Sequence, residues 1–429
     1  MSRRWRCVVF SSPRRLNLRV LYTKGRLVKA RTLDIWPDLP IVIHVTWEFL
    51  QPPSMASIIS VLKHRHRVCK IAIDYAPKSL KEIATASGPF PALNELKLSW
   101  KSSFDQTPTL TLPDSFLGGS VPRLLSLDLW NISFPAMGKL LLSTRDLVTL
   151  SLRYIPPSGY ISPEAMVTIL SGLPRLKTLH LNFQIPQFWT DEASQHPPVL
   201  TRVVLPALTN FDFAGNCGYL EDMVSRIDAP LDYITVTFSD QLRFDIPILR
   251  DFIGRTKIFN APYRTAICFS YSRVNISVYQ RKGDVDLKVL DLEILYASYH
   301  SQLPSLVQAC GSFLLPLPSL QYLDIYSSKD LASRAEDEVD NTRWTELLCL
   351  FATVKDLALD DPACFFVASA LQELVEVEER VPRILPALQN IFLEGLLSLG
   401  PVPEGIAKFI AARGLSSRPI IVHHWQTDP

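Results

Sequence analysis

Two short histidine clusters are the chain's best candidates for metal chemistry: His64 and His66 flank Arg65, and His423 adjoins His424. Zinc and related ions want about four converging donors, and neither pair has a cysteine or carboxylate completing a recognisable ligand spacing. The seven cysteines, Cys7, Cys69, Cys217, Cys268, Cys310, Cys349 and Cys364, are scattered and contain no C-x-x-C pair. They predict neither a disulfide framework nor a zinc site. A nucleophile elbow, a zincin helix, a phosphate-cradling lysine loop and a dinucleotide fingerprint are all absent from the sequence. Gly118-Gly119 has no basic residue in motif register behind it and reads as a turn. The sequence therefore predicts a protein that is not an enzyme and uses no cofactor and no metal.

What remains is surface recognition, and the residues available for it are set by a recurring phrase. A proline or charged lead is followed by Leu-x-x-Leu-x-Leu or a close variant. It recurs as Leu93, Leu96, Leu98; Leu124, Leu127, Leu129; Leu147, Leu150, Leu152; Leu176, Leu179, Leu181; and Leu208, Phe211, Phe213. Later come Leu320, Leu323, Ile325; Val354, Leu357, Leu359; and Leu388, Ile391, Leu393. Leu-x-Leu alternation suits a short strand with one buried face, and the earlier leucine packs beneath the chain as it approaches that strand. The side chains between the leucines point the other way. In the first half they include Lys97, Asp128, Trp130, Arg153 and His180, and in the second half Tyr322, Asp324, Tyr326, Asp356, Asp360 and Glu394. Aromatic residues such as Trp130, Tyr322 and Tyr326 bury large areas at little rotamer cost and are natural partner anchors.

Between the phrases the period becomes helical. Met166, Ile169, Leu170 and Leu173 follow Ser162 as an N-cap and Pro163 at the first helical position, with Gly172 near the end. Leu220, Met223, Val224 and Ile227 repeat that spacing, and shorter stripes occur at Leu249, Phe252 and Ile253, at Leu347, Leu350 and Phe351, and at Ile406, Phe409 and Ile410. Like units in series cannot bury their leucines singly but can by stacking. The expected fold is α/β: an irregular leucine-rich-repeat-like solenoid over residues 32–429, with parallel strands on the concave face and helices on the convex face. Loops are expected near 184–204 and 327–343. Residues 239–300, where the phrase weakens, read as degenerate repeats whose stretches Val274 to Val278 and Val285 to Ile294 alternate as strands.

Charge and targeting signals narrow the partners. The formal net charge is +2, too small for the broad basic field of nonspecific nucleic-acid binding. Residues 1–31 form a basic N-terminal segment with no acidic residue, which keeps a nucleic-acid-associated role as the alternative. No signal-peptide core and no stretch of about 18 apolar residues occurs, so a cytoplasmic or nuclear monomer with no membrane contact is expected.

Taken together, the phrases resemble fungal F-box proteins with leucine-rich-repeat-like regions, in particular a large family from mushroom-forming fungi. The resemblance covers most of the chain and is strongest at Leu112 to Ser120, Ser158 to Met166 and Tyr219 to Pro230. The start, Arg3 to Pro13, looks like the tail of an F-box, with Arg4, Trp5, Val8, Val9 and Pro13 as the remnant of its last helix. The usual repeat asparagine, three residues after the last strand leucine, is matched cleanly only at Asn216. The resemblance implies the substrate-receptor part of an SCF-type ubiquitin ligase, with a protein partner on the concave face. It also implies that the Skp adaptor binds only if an upstream F-box is restored.

Overall fold

Each leucine triad becomes a short strand. The structure is a computed structural model, and it describes residues 20–22, 39–45, 55–75, 88–100, 110–135, 137–184, 202–239, 246–256, 261–296, 302–313, 319–328, 340–375, 384–394, 402–415 and 418–425. These residues form a mixed α/β protein with a large, mostly parallel sheet that does not close on itself. The chain divides into two compact units. The first holds Met1–Glu192, His196–Asp212 and Arg226–Pro230, and the second holds Ala193–Gln195, Phe213–Ser225 and Leu231–Pro429.

The strands of the first unit are β1 (Val20–Tyr22), β2 (Ile41–Val45), β3 (Val68–Tyr75), β4 (Glu95–Trp100), β5 (Leu110–Thr111), β6 (Ser126–Trp130), β7 (Ile132–Ser133), β8 (Thr149–Ile155) and β9 (Thr178–Phe183). They are followed by β10 (Val203–Val204), β12 (Ile227–Asp228) and the first half of β11 (Asn210–Gly215), whose residues from Phe213 on belong to the second unit. Helices α1 (Met55–Leu62), α2 (Met137–Leu142) and α3 (Pro163–Ser171) lie between them. The main ladder runs β1-β2-β3-β4-β6-β8-β9 with every neighbouring pair parallel.

In that ladder Ile71, Leu96, Leu127, Leu150 and Leu179 stand in one row, and Ile73, Leu98, Leu129, Leu152 and Leu181 in the next. All are buried. The first leucines of the phrase, Leu93, Leu124, Leu147 and Leu176, are buried with them, at about 1.5 to 3 kcal/mol per side chain relative to exposure. The α3 start follows its sequence signal: the Ser162 hydroxyl accepts from the Ala165 N–H, with Pro163 at the first helical position. Ile227, expected on the helical stripe of Leu220, instead lies in β12, paired with Val203.

In the second unit the strands are β13 (Tyr233–Ser239), β14 (Pro262–Ser270), β15 (Arg273–Lys282), β16 (Val285–Leu295), β17 (Tyr322–Ser327), β18 (Asp356–Asp360), β19 (Asn390–Glu394) and β20 (Ile421–Trp425). Its helices are α4 (Cys217–Ser225), α5 (Pro247–Arg255), α6 (Gln302–Phe313), α7 (Asn341–Cys349), α8 (Asp361–Val375) and α9 (Glu404–Leu415). They pack neighbour on neighbour in chain order. The closest approach is at Gly405 of α9, where an added Cβ would lie 2.0 Å from the Ala368 carbonyl oxygen of α8.

The strand order here is β13-β16-β15-β14-β17-β18-β19-β20. The segment expected to hold degenerate repeats is therefore an antiparallel meander, β14 to β16, set into the sheet in reverse order. Two-residue connections, Tyr271-Ser272 and Gly283-Asp284, reverse the chain, and Gly283 takes the positive φ of 64° that such a turn requires. Three antiparallel strands leave the first and last pointing the same way. Accordingly β16 pairs parallel with β13, and β14 pairs parallel with β17. Both expected loops include regular elements: β10 falls inside 184–204, and Asp340 caps α7 by accepting from the Arg343 N–H inside 327–343.

Candidate functional site

The side chains that alternate with the buried leucines form rows across the strands, and those rows are the candidate site. In the first unit one row contains Lys97, Asp128, Ser151 and His180 in direct register on β4, β6, β8 and β9. Lys97 Nζ lies 3.6 Å from Asp128 Oδ2, and His180 Nδ1 lies 2.9 Å from Asp212 Oδ2 on β11. The row before it pairs Lys70 with Glu95 at 2.6 Å. Such half-exposed pairs are worth less than about 1 kcal/mol each, so they set local charge more than they hold the fold.

The next row places Ser99, Trp130 and Arg153 side by side. The Trp130 ring meets the Tyr154 ring at a centroid distance of 4.5 Å and a tilt of 37°. Strict alternation would turn Tyr154 toward the core with Leu152. A bulge prevents this: the register of β8 against β9 shifts between Leu152 and Ile155, and Tyr154 takes a φ of +52°. Tyr154 is 45% exposed, and no sequence signal marks this turn of its side chain. Asn131, at the end of β6, holds the region together. Its N–H donates to the Arg153 carbonyl at 2.8 Å, its amide donates to the Trp100 carbonyl at 3.3 Å, and its side-chain oxygen accepts from Gln184 at 2.8 Å.

The second unit is organised differently. Asp324 is buried and paired with the Arg264 guanidinium, which also reaches Asp286 at 3.3 Å. Burial opposes the charge on Arg264, but the hydrogen bond and charge of Asp324 outweigh it and hold the pKa above the ordinary arginine value. Lys288 sits 3.3 Å from Asp291, which accepts from the Ser277 hydroxyl at 2.7 Å. Here too burial works against the charge and Asp291 overcomes it, leaving the Lys288 pKa raised. Both cations lie near the Tyr279 ring, and Arg281 lies 5.3 Å from the centre of the Tyr263 ring.

The remaining sequence-predicted residues extend this network or leave it. Tyr263 and Tyr322 have ring centroids 4.6 Å apart. A hydrogen bond with Tyr263, then burial and the nearby charge of Asp356, push the Tyr322 pKa up to about 12. Asp356 accepts from the Asn390 amide at 2.6 Å, and His423 Nε2 lies 3.3 Å from the Asn390 side-chain oxygen. Asp360 has a different duty: its carboxylate accepts the Ser327 N–H at 2.7 Å and the Ala363 N–H at 2.9 Å, capping the start of α8. Tyr326 is half-buried beside Cys268, whose thiol is held above its ordinary pKa by burial and by the charge of Asp360. Both effects disfavour the thiolate, the reactive form of a cysteine.

Arg4, Trp5, Val8, Val9, Pro13 and the side chain of Glu394 lie outside the described residues. The sequence reading missed Asp212 and Tyr154 in the first unit and Arg264, Tyr263, Tyr279, Arg281 and Lys288 in the second. Asp212 was findable, because it stands between the buried Phe211 and Phe213 as other face residues stand between leucines. Among the described residues no group of His, Cys, Asp and Glu side chains could hold a metal ion, and no helix is long and apolar enough to cross a membrane. No protein-family model matches this chain, and no curated protein matches it either.

Proposed function

We propose that this chain is a protein-recognition scaffold: a leucine-rich-repeat-like solenoid whose strand-lined concave face binds another protein. Joined to an F-box, it would serve as the substrate-receptor part of an SCF-type ubiquitin ligase. The supporting observation is the row that sets Trp130 and Arg153 side by side, with Tyr154 turned outward onto Trp130. Tryptophan, tyrosine and arginine are the residues that dominate binding energy in protein interfaces. Family resemblance alone supplies the ubiquitin-ligase part of the reading.

Amine crosslinking of the full chain in cell lysate, with and without nuclease, tests the recognition role. Nuclease-resistant crosslinks to protein at Lys97 and Lys288, on the sheet face, are expected, with little reaction of this kind at Lys139 and Lys408 on the helices. Crosslinks confined to Lys139 and Lys408, or lost on nuclease treatment, would overturn it. The ligase role is tested separately: the chain fused behind a complete F-box should bring the protein crosslinked at Lys97 and Lys288 into a complex with purified Skp adaptor, and a fusion that binds the adaptor without that protein would overturn it.

A further inference from the structure

We propose that Trp130, Arg153 and Tyr154 form a docking site for an acidic peptide segment, with a carboxylate on Arg153 and a large apolar side chain against the two rings. This inference rests on the recognition role above and names the class of partner. Charge carries the argument first. The basic side chains around Arg153 are paired with carboxylates, Lys70 with Glu95, Lys97 with Asp128 and His180 with Asp212. Arg153 is not. Among the described residues its only side-chain partner is the Ser151 hydroxyl, 2.9 Å from Nε, which leaves both Nη groups as donors. A guanidinium fork with two such groups matches a carboxylate in a two-point hydrogen bond better than any neutral acceptor.

Shape carries it further. Tyr154 occupies the left-handed region at φ +52°, a conformation that side-chain-bearing residues rarely adopt and that persists only where surrounding structure imposes it. The result is an exposed ring laid beside Trp130 and next in sequence to Arg153. The platform is also held still, since the Asn131 N–H fixes the Arg153 carbonyl and the Gln184 amide fixes Asn131. A fixed platform loses little freedom when a partner docks. An extended acidic segment fits this combination of one unmatched cation and a rigid aromatic pair; a basic segment would face Arg153 with like charge.

The test uses the full chain and synthetic 12-residue peptides measured by fluorescence polarisation. One set carries glutamates beside a single leucine or phenylalanine, a second replaces glutamate by lysine, a third replaces the apolar residue by glycine, and a fourth replaces glutamate by phosphoserine. The first set should bind best. Arg153→Ala should weaken it about tenfold or more, and Arg153→Glu should shift preference toward the lysine set. Tyr154→Gly should also weaken binding, yet leave the melting temperature unchanged or higher, because glycine adopts this backbone conformation freely. Lys408→Ala, on α9, should change nothing. Indifference of the glutamate peptides to both Arg153→Glu and Tyr154→Gly would overturn the site while leaving recognition elsewhere on the face intact. Binding of only the phosphoserine set, or of no peptide, would overturn the acidic-peptide assignment, whereas the crosslinks at Lys97 and Lys288 decide the recognition role independently.

Discussion

The two units solve the same problem, a polar face on a leucine-backed sheet, in contrasting ways. In the first, parallel strands in chain order leave the polar side chains in isolated pairs, and Lys97 with Asp128 and His180 with Asp212 stand as separate contacts. In the second, the antiparallel meander brings β14, β15 and β16 beside one another, and its side chains join into a network. Arg264 ties Asp324 to Asp286, and Tyr322 lies between Tyr263 and Asp356. Separate pairs can be altered one by one with little cost to the fold; a network with a buried carboxylate cannot. A surface free to vary is better suited to recognition, and in the first unit it carries Arg153, whose side chain meets the Ser151 hydroxyl.

The largest expected effect separates the two helix layers. Gly405→Ala should destabilise the protein by about 4 kcal/mol or more, because its Cβ would strike a backbone oxygen that cannot move without parting α8 from α9. Gly138→Ala in α2 meets only Ile169 side-chain atoms at 3.8 Å and should be neutral or stabilising by up to about 1 kcal/mol. Urea unfolding of both variants measures the difference, and equal effects would erase it.

The ion network comes next. Arg264→Ala removes the guanidinium paired with the buried Asp324 carboxylate and should cost about 3 kcal/mol, whereas Arg264→Met combined with Asp324→Leu should recover most of that loss in the same unfolding measurement. A double variant no more stable than Arg264→Ala would show that the pair is not the source of the loss.

Alkaline pH probes the network through Tyr322. Its pKa in the folded protein, about 12, lies above the unfolded value of about 10. The stability contributed by the protonated phenol is therefore complete below pH ~10 and is lost as pH rises toward ~12. The unfolding midpoint of the protein should fall toward that of Tyr322→Phe across this window; parallel curves would mean that the phenol contributes nothing there. The smallest effect belongs to the first unit, where a double-mutant cycle on Lys97→Ala and Asp128→Ala should return a coupling below about 1 kcal/mol that shrinks with added salt.

Much of the strand pattern was legible because the phrase couples burial to position. The triads at Leu96 and Leu98, Leu127 and Leu129, and Leu357 and Leu359 all became strands with buried leucines. Within residues 239–300 direction was not legible, since alternation reads the same for parallel and antiparallel pairs. The signal that could have shown it was spacing: Tyr271-Ser272 and Gly283-Asp284 separate alternating runs by two residues, as hairpins do. The position of a residue on the polar face was legible where alternation held, as at Trp130 and Asp356, and was lost where another demand overrode it. The bulge reversed Tyr154, and Asp360, correctly placed on the strand, was claimed by the start of α8. Asp360 followed by Pro362 is itself a helix-start signal, so two readings of one residue competed and the cap was overlooked.

The reversed order of the meander has a mechanical consequence. Pulled from its C-terminal end, the second unit can lose β20, β19, β18 and β17 one after another, each as the outermost strand when its turn comes. The next strand along the chain is β16, but β14 is then outermost, and β16 is still gripped by β13 on one side and β15 on the other. Unravelling must stall there until two ladders shear together. In an optical trap the trace would show small steps followed by one high-force rip, a ratchet stop built from nothing more than an odd number of strands.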